Sequence, residues 1–282
     1  MTTSRSEACH SKPDPLAGLP VYQLTDAPWR YALQRAVTPG APLLIAAHGS
    51  DRNIRCLMAG LGLEGQVSVL APLFPAEIDG ENTGDDYKFL TAGGADYLTL
   101  MDLILAEALT RLGAAPRQIW LFGFSGGAQF AQRYALFRAA QLDGLILAAP
   151  GGVTLLREDV DWWPGLRGAV QAVGAEPGFE ALMTLRTAIL VGAQDRAAGM
   201  VSRAVGTKFG ARDAGLAGET RIDKARALHR SLSAHGAPVT YAELPGVGHK
   251  LAPCIEAAAA ILRDWLTKKE ASTLSKSDRR HR

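Results

Sequence analysis

The sequence predicts an α/β protein, a mostly parallel central sheet with helices on both faces. Three observations carry this. Short, predominantly apolar runs (Leu43–Ala47, Gln118–Phe124, Leu142–Ala149, Thr187–Gly192) alternate with stretches of helical period. A strand apolar on both sides must be covered on both sides, which is the signature of a buried parallel sheet. The runs also end in Gly- or Pro-containing turns, so each element is short and the chain folds back often.

Composition agrees with a single large core. The 282 residues are 48% hydrophobic and 21% charged, with a net charge of +2. Lys268, Lys269, Lys276, Arg279, Arg280 and Arg282 crowd the C-terminus, so the body is not basic and carries no nucleic-acid footprint. Cys9, Cys56 and Cys254 are far apart and odd in number, which argues against a disulfide framework or a zinc site and fits a reducing, cytoplasmic setting. Cys56 and Cys254 read as small core residues. The first twenty residues lack an apolar segment of the signal-peptide kind, and no apolar run approaches the roughly 20 residues of a membrane span.

In order, residues 1–20 read as a flexible lead-in and 21–268 as one domain. Residues 21–38 suggest an edge hairpin or meander. Leu43–Ala47 ends at His48-Gly49-Ser50, and Gln66–Ala71 is the next strand, closed by Pro72. Residues 76–92 are a polar loop. Its acidic residues Asp79, Glu81, Asp85 and Asp86 lack metal-site spacing and read as solvated, with Asp86 or Tyr87 as a pocket residue. Apolar residues from Tyr97 to Leu112 recur with helical period, and Gly113 stops them. A strand then leads into Gly123-Phe-Ser-Gly-Gly127, and residues 126–140 form a helix. Residues 153–186 form a cap-like insertion holding Trp162, Trp163 and Phe179, which either pack a small lid or touch a ligand. Residues 197–219 are irregular and lid-like, lean in large apolar groups. A helix at 220–235, a strand at 239–244 and a helix at 253–268 close the domain. Residues 269–282 read as a basic disordered tail.

The chemistry centres on Gly123-x-Ser125-x-Gly127. A serine on a very tight strand-to-helix turn needs neighbours without bulk two positions away on each side. A serine hydroxyl also needs a base, usually a histidine oriented by a carboxylate. Asp195 follows the Thr187–Gly192 strand and His249 follows Val239–Leu244, so all three could meet at the carboxyl edge of the sheet. Asp213 and Asp223 are weaker candidates for the acid. His10 and His281 lie in tails, His229 and His235 on or after a solvated helix, and His48 reads as packing under its loop.

These features resemble the α/β-hydrolase fold over residues 40 to 268. The middle section, with His48-Gly-Ser-Asp-Arg-Asn53 and the Gly-Phe-Ser-Gly-Gly elbow, resembles the esterase and polyhydroxybutyrate-depolymerase-like branch. The resemblance implies Ser125 as nucleophile, His249 as general base and then acid, and Asp195 as holder of its tautomer. It implies the amides of Ser50 and Gly126 as oxyanion donors. There is no Gly-Gly run after His48, so a single donor is expected from that loop. The implied activity is hydrolysis of a small-molecule carboxylic ester through acyl-Ser125, with no cofactor and no metal. Thioesters, lactones and peptides share the same chemistry, and a non-catalytic ligand-binding relative is the rival class. Tyr87, Trp162 and Trp163 are the pocket candidates. The sequence leaves oligomeric state and substrate identity open.

Overall fold

The computed structural model describes residues 14–92, 94–198 and 204–278, with backbone alone at 92 and 268–278. The strands are β1 (Val21–Gln23), β2 (Arg30–Gln34), β3 (Leu43–Ala47), β4 (Ser68–Leu73), β5 (Glu77–Ile78), β6 (Glu81–Asn82), β7 (Thr91–Ala92), β8 (Ala95–Asp96), β9 (Ile119–Phe124), β10 (Gly144–Ala148), β11 (Thr187–Gly192) and β12 (Val239–Leu244). The helices are α1 (Ile54–Leu61), α2 (Tyr97–Leu112), α3 (Gly126–Arg138), α4 (Ala169–Val173), α5 (Phe179–Thr184), α6 (Arg221–Ala234) and α7 (Leu251–Asp278).

Eight strands form one sheet in the order β1-β2-β4-β3-β9-β10-β11-β12. From β4 to β12 every neighbour is parallel, and β1 and β2 add an antiparallel edge. The alternation of side chains splits the core in two. Leu43, Ile45, Leu121, Leu145 and Leu147 face α2, α3 and α6. Leu44, Ala46, Trp120, Phe122 and Ile146 face α1 and α7. The sheet is therefore covered on both sides, as its apolar runs require.

Helix ends follow local chemistry. Asp96 caps α2 by accepting from the Leu98 and Thr99 amides at 3.0 Å, and Gly113 closes it in the left-handed conformation. Thr220 and Asp223 form a reciprocal capping box at the start of α6. This is why Asp223 is occupied structurally. Pro253 is tolerated in α7 because it sits in the first turn.

Several boundaries differ from the sequence reading. β4 runs through Pro72 to Leu73, because its parallel partner β3 pairs only as far as Leu70 and Pro72 lies beyond that ladder. Helix α1 was not anticipated. Ile54, Leu57, Met58 and Leu61 form its buried stripe, and Cys56 falls off that stripe and is exposed rather than a core residue. The loop at 76–92 contains the short β5–β6 pair and a turn of 3-10 helix at Asp86–Phe89, and its last two residues, β7, pair with β8 beyond it. Helix α7 continues past Lys268 into the basic stretch, and residues 279–282 lie outside the described residues.

Segment 153–186 lies between β10 and β11. Thr154 anchors it to α3: its amide donates to Gln132 Oε1 at 3.0 Å, and its hydroxyl accepts from Arg133 Nε at 3.0 Å. Arg133 is fully buried. Its guanidinium lies 4.8 Å from the Phe89 ring centroid and 4.9 Å from that of Trp163, and it donates to the Lys88 carbonyl.

Candidate active site

The Gly123–Gly127 turn has the geometry its spacing demands. Ser125 sits at φ 55° and ψ −110°, a conformation strained for any residue with a Cβ. A Cβ on Gly123 would stand 2.2 Å from the Gly127 carbonyl oxygen, and one on Gly127 would stand 2.1 Å from the Ala47 carbonyl oxygen. Both obstacles are backbone, so neither position admits a side chain. The Ser125 amide is held by the Ala148 carbonyl at 2.8 Å.

Asp195 turns back just after β11, its amide donating to the Gly192 carbonyl at 3.0 Å, and is 2% exposed. His249 lies in the loop after β12, its ring stacked on Phe124 at 4.9 Å. Its Nδ1–H donates to Asp195 Oδ2 at 2.7 Å, and its Nε2 accepts from the Ser125 hydroxyl at 3.0 Å. Three strand ends thus meet in one hydrogen-bonded chain. Neither Asp213 nor Asp223 enters it. Gly192 makes this possible, because a Cβ there would meet the carbonyl oxygens of Val247 at 2.3 Å and Gly248 at 2.4 Å.

The His48-Gly49-Ser50 loop abuts the elbow. A Cβ on Gly49 would lie 3.6 Å from that of Ser125. Among the described residues, no acceptor takes the amides of Ser50 or Gly126. Arg52 fixes the loop, donating to the carbonyls of Ser50 at 2.7 Å and Phe74 at 2.8 Å. His48 lies beneath it, fully buried. The Phe74 amide donates to His48 Nε2 at 3.0 Å, so the proton is on Nδ1, which donates to the Gly49 carbonyl at 2.8 Å. Burial depresses its pKa to about 3 and keeps the ring neutral.

A cleft of about 420 Å³ opens at Ser125 and His249. Trp163 lines it, and its indole donates to the Phe209 carbonyl at 2.9 Å. Two of the three expected pocket residues are elsewhere. Tyr87 is fully buried under the elbow, its hydroxyl donating to the His48 carbonyl at 3.0 Å, and burial pushes its pKa up. Trp162 packs edge-on against Phe137. The acidic loop also differs from expectation. Asp86 is buried and ion-paired with Lys208 at 2.7 Å, and Asp85 pairs with Lys88. Among the described residues, no group of three His, Cys, Asp or Glu could hold a metal.

Two basic residues of the cleft were missed. Lys88 donates to Ser50 Oγ at 2.8 Å. Nothing in the sequence marks one lysine of a polar turn as buried. Arg221 donates to Asp195 Oδ1 at 3.2 Å and is 6% exposed. Here a signal existed. A cation in the first turn of a helix opposes the helix dipole, so a compensating carboxylate should be sought.

No protein-family model and no curated protein matches the chain. Solved structures do. A poly(3-hydroxybutyrate) depolymerase from Bordetella parapertussis shares 22% identity at a TM-score of 0.68, covering 85% of this chain and 86% of its own. A poly(aspartic acid) hydrolase from Sphingomonas sp. KT-1 shares 16% at 0.68, covering 83% and 93%. A siderophore hydrolase from Aspergillus nidulans shares 15% at 0.57, covering 92% and 99%. At these identities the likeness is one of fold. With its parallel sheet, antiparallel edge and strained serine turn, the chain has the α/β-hydrolase fold.

Proposed function

We propose that the protein is a serine hydrolase cleaving a carboxylic ester. The observation that carries this is the chain from Ser125 through His249 to Asp195, at 3.0 and 2.7 Å, opening on a cleft. In this reading Ser125 Oγ attacks the ester carbonyl and His249 Nε2 takes its proton. Asp195 holds the Nδ1–H tautomer and stabilises the imidazolium that forms. The amides of Ser50 and Gly126 receive the oxyanion, each contributing on the order of 3 kcal/mol. Collapse of the tetrahedral species expels the alcohol, protonated by His249. Water activated by the same imidazole then releases the acid from acyl-Ser125. Arg221 donates to Asp195 Oδ1 while His249 takes Oδ2, so the carboxylate is held from both sides. Segment 153–186 serves as the cap and the described part of 197–219 as the lid. The structural neighbours named as a poly(3-hydroxybutyrate) depolymerase, a poly(aspartic acid) hydrolase and a siderophore hydrolase favour hydrolysis as the reaction class.

The test is labelling by a fluorophosphonate together with turnover of p-nitrophenyl esters of increasing acyl length. Wild-type protein labels and turns over, and Ser125→Ala does neither. Folded wild-type protein that neither labels nor turns over removes the reading.

A further inference from the structure

A buried ammonium stands behind the space assigned to the oxyanion. The Lys88 side chain is 6% exposed. Its Nζ donates to Ser50 Oγ at 2.8 Å and to the Asp85 carboxylate. The same nitrogen lies 3.3 Å from where a Cβ on Gly126 would stand. It therefore backs both residues whose amides are candidate oxyanion donors. Ser50 itself is exposed and lines the cleft.

The direction of the hydrogen bond matters. An ammonium has three donors and no acceptor, so Ser50 Oγ must accept from Lys88. The Ser50 hydroxyl proton is then left to be given elsewhere. Among the described residues, no protein group accepts it, and the open side is the cleft. Accepting from a cation also makes the hydroxyl a stronger donor.

We propose that Lys88 turns the Ser50 hydroxyl into the cleft, where it donates to the substrate oxyanion beside the amides of Ser50 and Gly126. Ser50 then acts through its side chain as well as its backbone, and Lys88 is a positioning residue whose charge reaches the reaction through Ser50. Asp85 holds the ammonium in place. The inference rests on the serine-hydrolase reading.

The experiment is a kinetic cycle on a p-nitrophenyl ester with Ser50→Ala, Ser50→Thr, Lys88→Met and the Ser50→Ala/Lys88→Met double variant, alongside fluorophosphonate labelling of each. Ser50→Ala is expected to lower kcat by about 100-fold, the scale of one oxyanion donor, with KM within about threefold of wild type. Ser50→Thr, which keeps the hydroxyl, is expected to retain most of kcat. Lys88→Met should lose a comparable factor, and the double variant no more than the worse single. Ser50→Ala with wild-type kcat overturns the proposal while leaving the Ser125 reading intact. So do losses at Ser50 and Lys88 that multiply, because Lys88 would then act independently. If Lys88→Met fails to fold, the exposed Ser50 pair decides the matter alone. Wild-type protein without labelling or turnover overturns both readings together.

Discussion

Gly192 offers a way to move the histidine without touching it. It ends β11, and the backbone of the His249 loop passes directly over it. In Gly192→Ala the new Cβ would meet the Val247 oxygen at 2.3 Å, against the 3.4 Å at which ordinary contact begins. The shortfall is roughly 1 Å, and both obstructing atoms are backbone, so no rotamer relieves it. The loop must lift, and His249 lifts with it. Its 3.0 Å bond to Ser125 would then open to about 4 Å, beyond hydrogen-bond range. A misplacement of that size costs on the order of 100-fold in rate. The overpacking costs about 1–3 kcal/mol of stability, which a large domain survives. We therefore expect Gly192→Ala to melt cooperatively at a lower temperature, to bind ester with nearly unchanged KM, and to lose about 100-fold in kcat. The assay is steady-state ester hydrolysis with a thermal melt in parallel. A folded Gly192→Ala with kcat within threefold of wild type would falsify the reading that the close approach of the loop to Gly192 sets the position of His249.

Three further outcomes follow from the same geometry. Ser125→Ala and His249→Ala should each lower kcat by about 10⁴-fold or more and Asp195→Asn by about 10³ to 10⁴, with melting temperatures close to wild type for Ser125→Ala; near-normal turnover in any of them breaks the triad assignment. His48 is held neutral by burial, its folded pKa of about 3 lying below the unfolded 6.5. The unfolded chain thus binds the extra proton first, and stability is lost as pH falls from 6.5 toward 3, by about 3 kcal/mol at pH 4. Urea titrations of wild type and His48→Gln across that window should differ in slope, and parallel lines would refute the cause. Phe209 stacks on Phe89 at 4.0 Å and accepts from Trp163. Phe209→Ala should cost about 1 kcal/mol of docking, roughly a fivefold rise in opening, read as faster amide exchange over residues 204–219. Unchanged exchange there would show that the stack does not hold the segment.

The sheet was legible because β3, β9, β10 and β11 are buried on both faces and so carry unbroken apolar runs. The elbow was legible because its constraint is steric and local: two glycines at fixed distance around Ser125. Asp195 and His249 could be found because each follows its strand by a short turn. What was hidden depends on partners distant in sequence. Lys88 meets Ser50 across 38 residues and Arg221 meets Asp195 across 26, and neither residue type is expected to be buried. Tyr87 and Trp162 lie in segments that reach the cleft but face away from it, because turn geometry decides which way a side chain points. Cys56 went astray for a simpler reason. Helix α1 was overlooked, and its period would have placed Cys56 outside the apolar stripe.

Gln132 and Arg133 tie segment 153–186 to α3. Both residues lie on the helix that begins at the Ser125 turn, so Thr154 and Trp163 are referenced to the same rigid rod as Ser125. The distance between the Ser125 hydroxyl and the Trp163 ring is then a property of one frame. The turns from Leu166 to Leu185 are tied to the same helix, since the Gly178 amide donates to the Leu136 carbonyl at 2.8 Å and Ala169, Leu182 and Leu185 are buried. Variation in the segment is then confined to its exposed positions, such as Glu158, Gln171 and Glu176, which can change charge while the stacking of Arg133 on Trp163 stays the same.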